Sequence, residues 1–163
     1  APGARPAAAP GAAGAPGARP ARPAGGFSRM MDNGFEEVLV DELIPYIDAN
    51  FRTKADQANR AMAGLSMGGM ETHTITLARP EVFSHFGLLS GGTYSPDEIK
   101  DKSKVKLIFL SCGSFENPDG VTTAAAELKE AGINAVSFVS ENTRHEFQTW
   151  RRSLYHMAQL MFK

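Results

Sequence analysis

The segment Gly64-Leu-Ser-Met-Gly68 has a G-x-S-x-G pattern, the strongest chemical signal in the chain. The apolar run from Arg60 to Leu65 predicts a strand before it, and a helix is predicted after it. A strand that turns at once into a helix strains the corner residue, and flanking glycines leave room for the backbone. We therefore expect Ser66 to be an exposed nucleophile, with the Met67 N–H as an oxyanion-hole donor. A tight turn with a capping serine is the alternative.

A serine hydroxyl needs a base within hydrogen-bond reach, normally a histidine. His145 lies in a loop between the last predicted strand and the last predicted helix, at the edge of the sheet where Ser66 is expected. It is therefore the predicted base, against the alternative of an ordinary loop histidine. The remaining histidines are less suitable. His73 lies too far along the predicted helix after Ser66, His85 lies at the opposite end of the sheet, and His156 lies off the apolar face of the last helix.

The carboxylate that orients such a histidine is expected just after the third predicted strand. Two acidic residues are available there, Glu116 and Asp119. Glu116 is favoured because it is closer to the strand end, whereas Asp119 lies in Asn117-Pro-Asp-Gly120, a sequence typical of a turn. Cys112, inside the apolar strand, is predicted to be a small core side chain rather than a second nucleophile.

The elements around these residues predict a parallel α/β sheet of about four strands, because strand and helix patterns alternate four times. The predicted strands are 60–65, 86–90, 105–111 and 135–140, and predicted helices cover 72–78, 122–131 and the chain from about residue 146.

Two amphipathic helices are predicted at the ends of this region. The first starts with a capping-box pattern, Asn33 with Glu36, and Pro45 should bend it. Its apolar stripe is Phe35, Val38, Leu39, Leu43 and Ile47. The stripe of the last helix is Phe147, Trp150, Leu154, Met157 and Met161, so Trp150 is expected in the core, with the lining of the site as a second possibility.

The amino-acid composition argues against several kinds of partner and site. The formal net charge is −1, which gives no electrostatic reason to expect a nucleic acid or membrane partner. The single cysteine excludes an internal disulfide and a cysteine-rich zinc site. Residues 1–26 contain only Ala, Pro, Gly and Arg and cannot bury enough surface to fold, so residues 1–32 are predicted to be a flexible linker or loop before a domain over 33–163.

Four motifs resemble the esterase D-like α/β-hydrolases, and within these the feruloyl esterases of carbohydrate esterase family 1. They are Asp41–Asp48, Arg60–Gly69, Phe109–Gly113 and His145–Arg151, in the family's order. The resemblance spans about residues 33–163 and implies Ser66 as nucleophile, His145 as base and Glu116 as acid. Relatives more usually have Asp at the acid position and Gly-Gly where this chain has Thr143-Arg144.

The resemblance implies a serine carboxylesterase that releases hydroxycinnamic acids from arabinoxylan through an acyl-enzyme, without metal or organic cofactor. The implied setting is bacterial xylan degradation, in a secreted or periplasmic protein. The implied partner is a plant cell-wall polysaccharide ester or a small aromatic ester. Because Leu65 and Met67 flank Ser66, they are candidate walls for an aromatic acyl group, with ordinary packing as the alternative. Acetyl-xylan, S-formylglutathione and siderophore esterases, an acyltransferase and an inactive interaction module stay open as alternatives.

The order of elements also predicts an incomplete sheet. In α/β-hydrolases the nucleophile follows the fifth strand, and the second oxyanion donor follows the third. Only a linker-like segment and one helix precede Arg60 here. We therefore expect the chain to be the carboxyl-terminal part of a longer domain, completed by upstream residues, a companion segment or another chain. Alone, it should be poorly stable and weakly active.

Overall fold

The computed structural model describes residues 34–163, which form a four-stranded parallel sheet in the order β1-β2-β3-β4. The strands are β1 (Ala61–Leu65), β2 (His85–Leu89), β3 (Leu107–Gly113) and β4 (Ala135–Ser140). This confirms the predicted parallel α/β sheet. The predicted linker over residues 1–32 lies outside the described residues, as does Asn33 of the predicted capping box.

The helices that connect the strands are bounded as follows. An α-helical turn, α1 (Phe35–Glu37), continues into a π-helix (Val38–Leu43) and then into α2 (Ile44–Asn50). The later helices are α3 (Met67–Ala78), α4 (Pro118–Glu130) and α5 (Phe147–Ala158), with short 3₁₀ turns at Gln57–Asn59 and Lys102–Lys104. Within residues 34–163, none of these helices has the length and apolar character that crossing a membrane requires.

Two hydrophobic cores lie on opposite faces of the sheet, because successive strand residues point to opposite sides. On one face, Leu88 and Leu110 pack with Ile75 of α3 and Leu128 of α4. On the other, Leu89 and Phe109 pack with Met157 of α5. Every residue of β2 and β3 is buried, as expected for central strands of a parallel sheet.

Strand β1 differs from its neighbours because, within the described residues, it pairs only with β2. Its residues are partly buried or exposed, although the sequence is apolar throughout. A cavity of about 610 Å³ is lined by Leu43, Ile44 and Ile47 of the first helical segment and, among other residues, by Arg60, which directly precedes β1. The cavity therefore lies near the amino end of β1, away from the end that bears Ser66.

The first helical segment does not bury the predicted stripe. Val40 is its only buried residue among those described, and Phe35, Val38 and Leu43 are exposed. The π-helix explains part of this, since its wider turn shifts every later side chain away from the 3.6-residue register. Charge anchors the segment: Arg79 at the end of α3 binds Asp41 through two hydrogen bonds and Glu36 through one. Glu36 is therefore an ion-pair partner of Arg79, and the N-cap position of α1 is Gly34 rather than the predicted Asn33.

Two further helices differ from the sequence-based prediction. Helix α4 begins at Pro118 rather than residue 122, because Asn117 caps it by accepting a hydrogen bond from the Gly120 N–H and proline suits the first turn. Helix α5 buries Met157 of the predicted stripe, and Trp150 and Met161 pack against the same core, but Phe147 and Leu154 are exposed. The polar residues Thr149 and Ser153 are buried instead. The hydroxyls of Thr149 and Ser153 donate to backbone carbonyls, which allows these polar residues to be buried.

Candidate active site

The turn between β1 and α3 holds Ser66 in a strained backbone conformation, with φ 53° and ψ −119°. Gly64 is required for this turn, since a Cβ there would lie 2.7 Å from the Gly69 nitrogen and closer still to the Gly68 carbonyl. Gly69 lies equally close to Gly91, in the loop that follows β2: a Cβ added to Gly69 would lie 2.6 Å from the Gly91 Cα. The corner therefore has the sharp strand-to-helix geometry that the sequence predicts.

The structure brings Ser66, His145 and Glu116 together although they are distant in sequence. The His145 Nε2 lies 2.7 Å from the Ser66 Oγ, and its Nδ1 lies 2.8 Å from the Glu116 Oε1. With the proton on Nδ1, the ring donates to the carboxylate and can accept from the serine hydroxyl. This arrangement can remove a proton from Ser66 as its oxygen attacks an electrophile, while Glu116 stabilises the resulting imidazolium.

The Glu116 carboxylate is held by three donors. Its Oε2 accepts from the Gly113 N–H at 2.6 Å and from the Ser90 hydroxyl at 2.8 Å, and its Oε1 faces His145. Burial alone would raise the pKa of Glu116, but these hydrogen bonds outweigh burial and hold the pKa below its usual value. The carboxyl is therefore ionised at neutral pH, as an orienting group for histidine must be.

The loops that carry the acid and the base are joined by hydrogen bonds that backbone N–H groups donate. The Phe115 N–H donates to the Thr143 carbonyl at 3.1 Å, and the Asn142 N–H donates to the Ser114 Oγ at 2.9 Å. Gly113 allows the close approach, since a Cβ there would lie 2.7 Å from the Thr143 carbonyl carbon. The loop after β3 and the loop after β4 thus form one connected surface beside Ser66.

The other candidates from the sequence lie apart from this arrangement. Asp119 lies in the first turn of α4. Cys112 is buried, and burial raises the pKa of its thiol, as expected for a core cysteine. The remaining histidines pack against aromatic rings: His73 on Tyr94, His85 on Phe162 and His156 on Phe138.

Exposed apolar side chains stand next to the site residues in sequence. Leu65 and Met67 flank Ser66 and are 42% and 50% exposed, and Phe147, two residues after His145, is 73% exposed. The Met67 N–H stands at the first position of α3, where a helix offers no acceptor in the preceding turn. It is therefore suited to bind a negative oxygen formed next to Ser66.

Ser90 and Trp150 also contact the triad; the sequence analysis named only Trp150, as a possible lining residue and not as a hydrogen-bond donor. Ser90, which follows β2 as Ser66 follows β1, has a positive φ of 51° and contacts Glu116. Trp150 donates its indole N–H to the Ser90 Oγ at 3.1 Å and packs edge-on against the His145 ring. A signal was present for Ser90, because Leu89-Ser-Gly-Gly92 follows a strand much as Leu65-Ser-Met-Gly-Gly69 does.

The esterase family model matches residues 16–161 of this chain. The chain belongs to the esterase family. A curated relative of this esterase, the endo-1,4-beta-xylanase/feruloyl esterase of Xylanibacter ruminicola, is 60% identical over 139 residues. That match covers 85% of this chain but only 19% of the relative, so the chain spans about a fifth of that protein's length.

Solved structures show the same fold at low sequence identity. A ferulic acid esterase from Anaeromyces mucronatus superimposes with a TM-score of 0.66 at 17% identity, covering 78% of this esterase and 54% of that chain. The S-formylglutathione hydrolase of Staphylococcus aureus superimposes with a TM-score of 0.60 at 12% identity, covering 81% and 62% of the two chains. These matches agree with the predicted α/β-hydrolase type of fold.

Proposed function

We propose that this chain carries the catalytic triad of a serine carboxylesterase. Ser66 Oγ attacks the ester carbonyl while His145 takes the hydroxyl proton, and the Met67 N–H stabilises the oxyanion. His145 then gives the proton to the departing alcohol, leaving an acyl-enzyme. Water, activated by the same histidine, releases the acid and restores Ser66. The observation that carries the proposal is the continuous chain of short contacts from Ser66 through His145 to Glu116.

The proposed substrate is a hydroxycinnamate ester of a plant cell-wall polysaccharide such as arabinoxylan. Support comes from the 60% identity to a protein named as a xylanase and feruloyl esterase. The exposed Leu65, Met67 and Phe147 offer apolar surface of the kind that an aromatic acyl group can cover. Because a polymeric substrate cannot enter a cell, this proposal also favours a secreted bacterial protein that takes part in xylan degradation.

The test compares methyl ferulate with 4-nitrophenyl acetate as substrates, and Ser66→Ala and His145→Ala with the wild type. Each variant should lose turnover by a factor on the order of 10⁶, the scale seen when a triad nucleophile or base is removed. His73→Ala is the matched control, because His73 packs on Tyr94 and touches no triad residue. Turnover retained by Ser66→Ala, or lost equally in His73→Ala, would refute the proposed mechanism.

We also propose that a further strand pairs with the free edge of β1 in the working enzyme. Within the described residues β1 is an apolar strand that pairs on one side only, and native domains normally cover such an edge. Upstream residues of a longer protein, a companion segment or another chain could supply that strand. They would also supply the second oxyanion donor, which in this fold comes from a loop earlier in the sequence.

The test of this second proposal compares the 163-residue chain with the longer protein to which it would belong. The longer protein should have a higher thermal midpoint, a higher kcat and slower amide exchange within Ala61–Leu65. Equal values in the two proteins, with the shorter chain monomeric and cooperatively folded, would show that β1 needs no further partner.

A further inference from the structure

The hydrogen-bond chain behind the acid has a fixed direction. The indole nitrogen of Trp150 can only donate, so the Ser90 oxygen must accept from it. The single hydroxyl proton of Ser90 is then free for the Glu116 Oε2, 2.8 Å away. Trp150 therefore donates to Ser90 and Ser90 donates to Glu116, because the indole can only donate and the ionised carboxylate can only accept.

The backbone around Ser90 is built to keep its hydroxyl in this place. Ser90 has a φ of 51°, a conformation that non-glycine residues adopt rarely and that clusters at functional sites. Its N–H donates to the Ser111 carbonyl at 2.7 Å, which ties it to the next strand. The register pairs Leu65 with Leu89 and Leu89 with Ser111, so Ser66 and Ser90 follow neighbouring strands at the same level.

Trp150 acts on the base as well as on the acid. Its ring lies edge-on to the His145 ring, with centroids 5.1 Å apart and an interplanar angle of 88°. The rest of the indole packs against the core of Leu89, Phe109 and Met157, which restricts its movement. One rigid side chain therefore contacts His145 directly and reaches Glu116 through Ser90.

We propose that Ser90 and Trp150 are positioning residues that hold the Glu116 carboxylate in the orientation in which it binds His145. Ser90 supplies one of the two hydrogen bonds on Oε2, and Trp150 directs the Ser90 proton toward it. The Gly113 N–H supplies the other bond from the backbone, so Ser90 is the only side-chain donor to Oε2 among the described residues. This inference rests on the triad proposed above.

The test uses Ser90→Ala and Ser90→Gly, which both remove the hydroxyl but differ in backbone strain, because glycine accepts a positive φ freely. Each should lower kcat about tenfold with little change in KM, since a hydrogen bond to a charged group is lost without loss of substrate contact. Trp150→Phe keeps a ring but not the donor and should lower kcat less. Ser153→Ala is the control, because the Ser153 hydroxyl bonds only a backbone carbonyl.

Two combinations separate positioning from a general structural role. In a Glu116→Gln background, Ser90→Gly should cause no further loss of kcat, because it acts through the carboxylate. The double variant Ser90→Gly with Trp150→Phe should be no slower than Ser90→Gly alone, because the indole N–H acts only through Ser90 and phenylalanine keeps a ring beside His145. A full additional loss in either combination, or wild-type kcat in both Ser90 variants, would overturn the inference.

A fluorophosphonate probe keeps this test independent of the ester chosen. The wild type should form a covalent adduct at Ser66, and the Ser90 variants should form it about tenfold more slowly by the same hydrogen-bond argument. A wild type that reacts with the probe but hydrolyses no feruloyl ester would refute the proposed substrate alone. Undiminished labelling of Ser90→Gly would refute the positioning role alone. A wild type that is not labelled would refute both the proposed triad and the positioning role.

Discussion

The two glycines of the Gly64-Leu-Ser-Met-Gly68 motif should respond in opposite ways to substitution by alanine. A Cβ on Gly64 would lie 2.7 Å from the Gly69 nitrogen and closer still to the Gly68 carbonyl, and real Cβ atoms essentially never approach within 3.0 Å. These neighbours are backbone atoms, so relief requires the turn itself to open. A Cβ on Gly68, in contrast, would meet nothing within 4 Å.

The size of the effect follows from the position of the clash. Ser66 lies at the centre of the turn, and its contact to His145 is 2.7 Å long, so a backbone shift near 1 Å would take it beyond hydrogen-bond range. Misplacement by 1 Å can cost about 10²-fold in rate. Overpacking should also destabilise Gly64→Ala by roughly 1–3 kcal/mol. Gly68→Ala should be neutral or stabilise the helix by up to about 1 kcal/mol.

Both variants can be measured by thermal unfolding and by the rates of ester hydrolysis and of phosphonate labelling of Ser66. Gly64→Ala is expected to lose stability and activity together, while Gly68→Ala keeps both. If the two variants lost the same stability and activity, the close packing at Gly64 would not explain why the motif contains glycine. A fully active Gly64→Ala would refute the close-packed turn.

Two further predictions concern titratable groups. Glu116→Gln should lower kcat by a factor on the order of 10⁴, as when the orienting carboxylate of a well-studied protease is neutralised, whereas Asp119→Asn should match the wild type in the same assay. Burial, aided by the charge of Lys106, holds the pKa of His85 below its usual value, so the unfolded chain takes up a proton first as the pH falls. Stability should therefore decrease below about pH 6.5, and the thermal midpoint of His85→Gln should depend less on pH between 8 and 5; an unchanged dependence would contradict this linkage.

The site was largely predictable because its chemistry depends on local patterns. The Ser66 turn needs a strand, close glycines and a helix, which are all visible in sequence, and parallel strands bring His145 and Glu116 to the same edge. Trp150 shows the limit of this reasoning. Its helical periodicity indicated a core position, but only the packed structure shows that its N–H reaches Ser90.

The helix faces were harder to predict because burial depends on what lies opposite. Helix α5 places Met157 against Gly87, where a Cβ would lie 2.5 Å from the methionine sulfur. Such close packing favours small residues, so Thr149 and Ser153 are buried while the larger Leu154 faces outward. The π-helix over Val38–Leu43 likewise breaks the periodicity on which its predicted stripe depended.

The hydrogen bonds between the loops after β3 and β4 have a consequence for the proposed reaction. Because the Phe115 and Asn142 amides tie these loops together, the histidine and its carboxylate behave as one preassembled body. The entropy of ordering these two groups is then lost when the protein folds and not at each turnover. Among the described residues, the hydrogen bond between Ser66 and His145 is the only one that joins the serine turn directly to these two loops, so the proposed reaction depends on the distance between the turn and the loops.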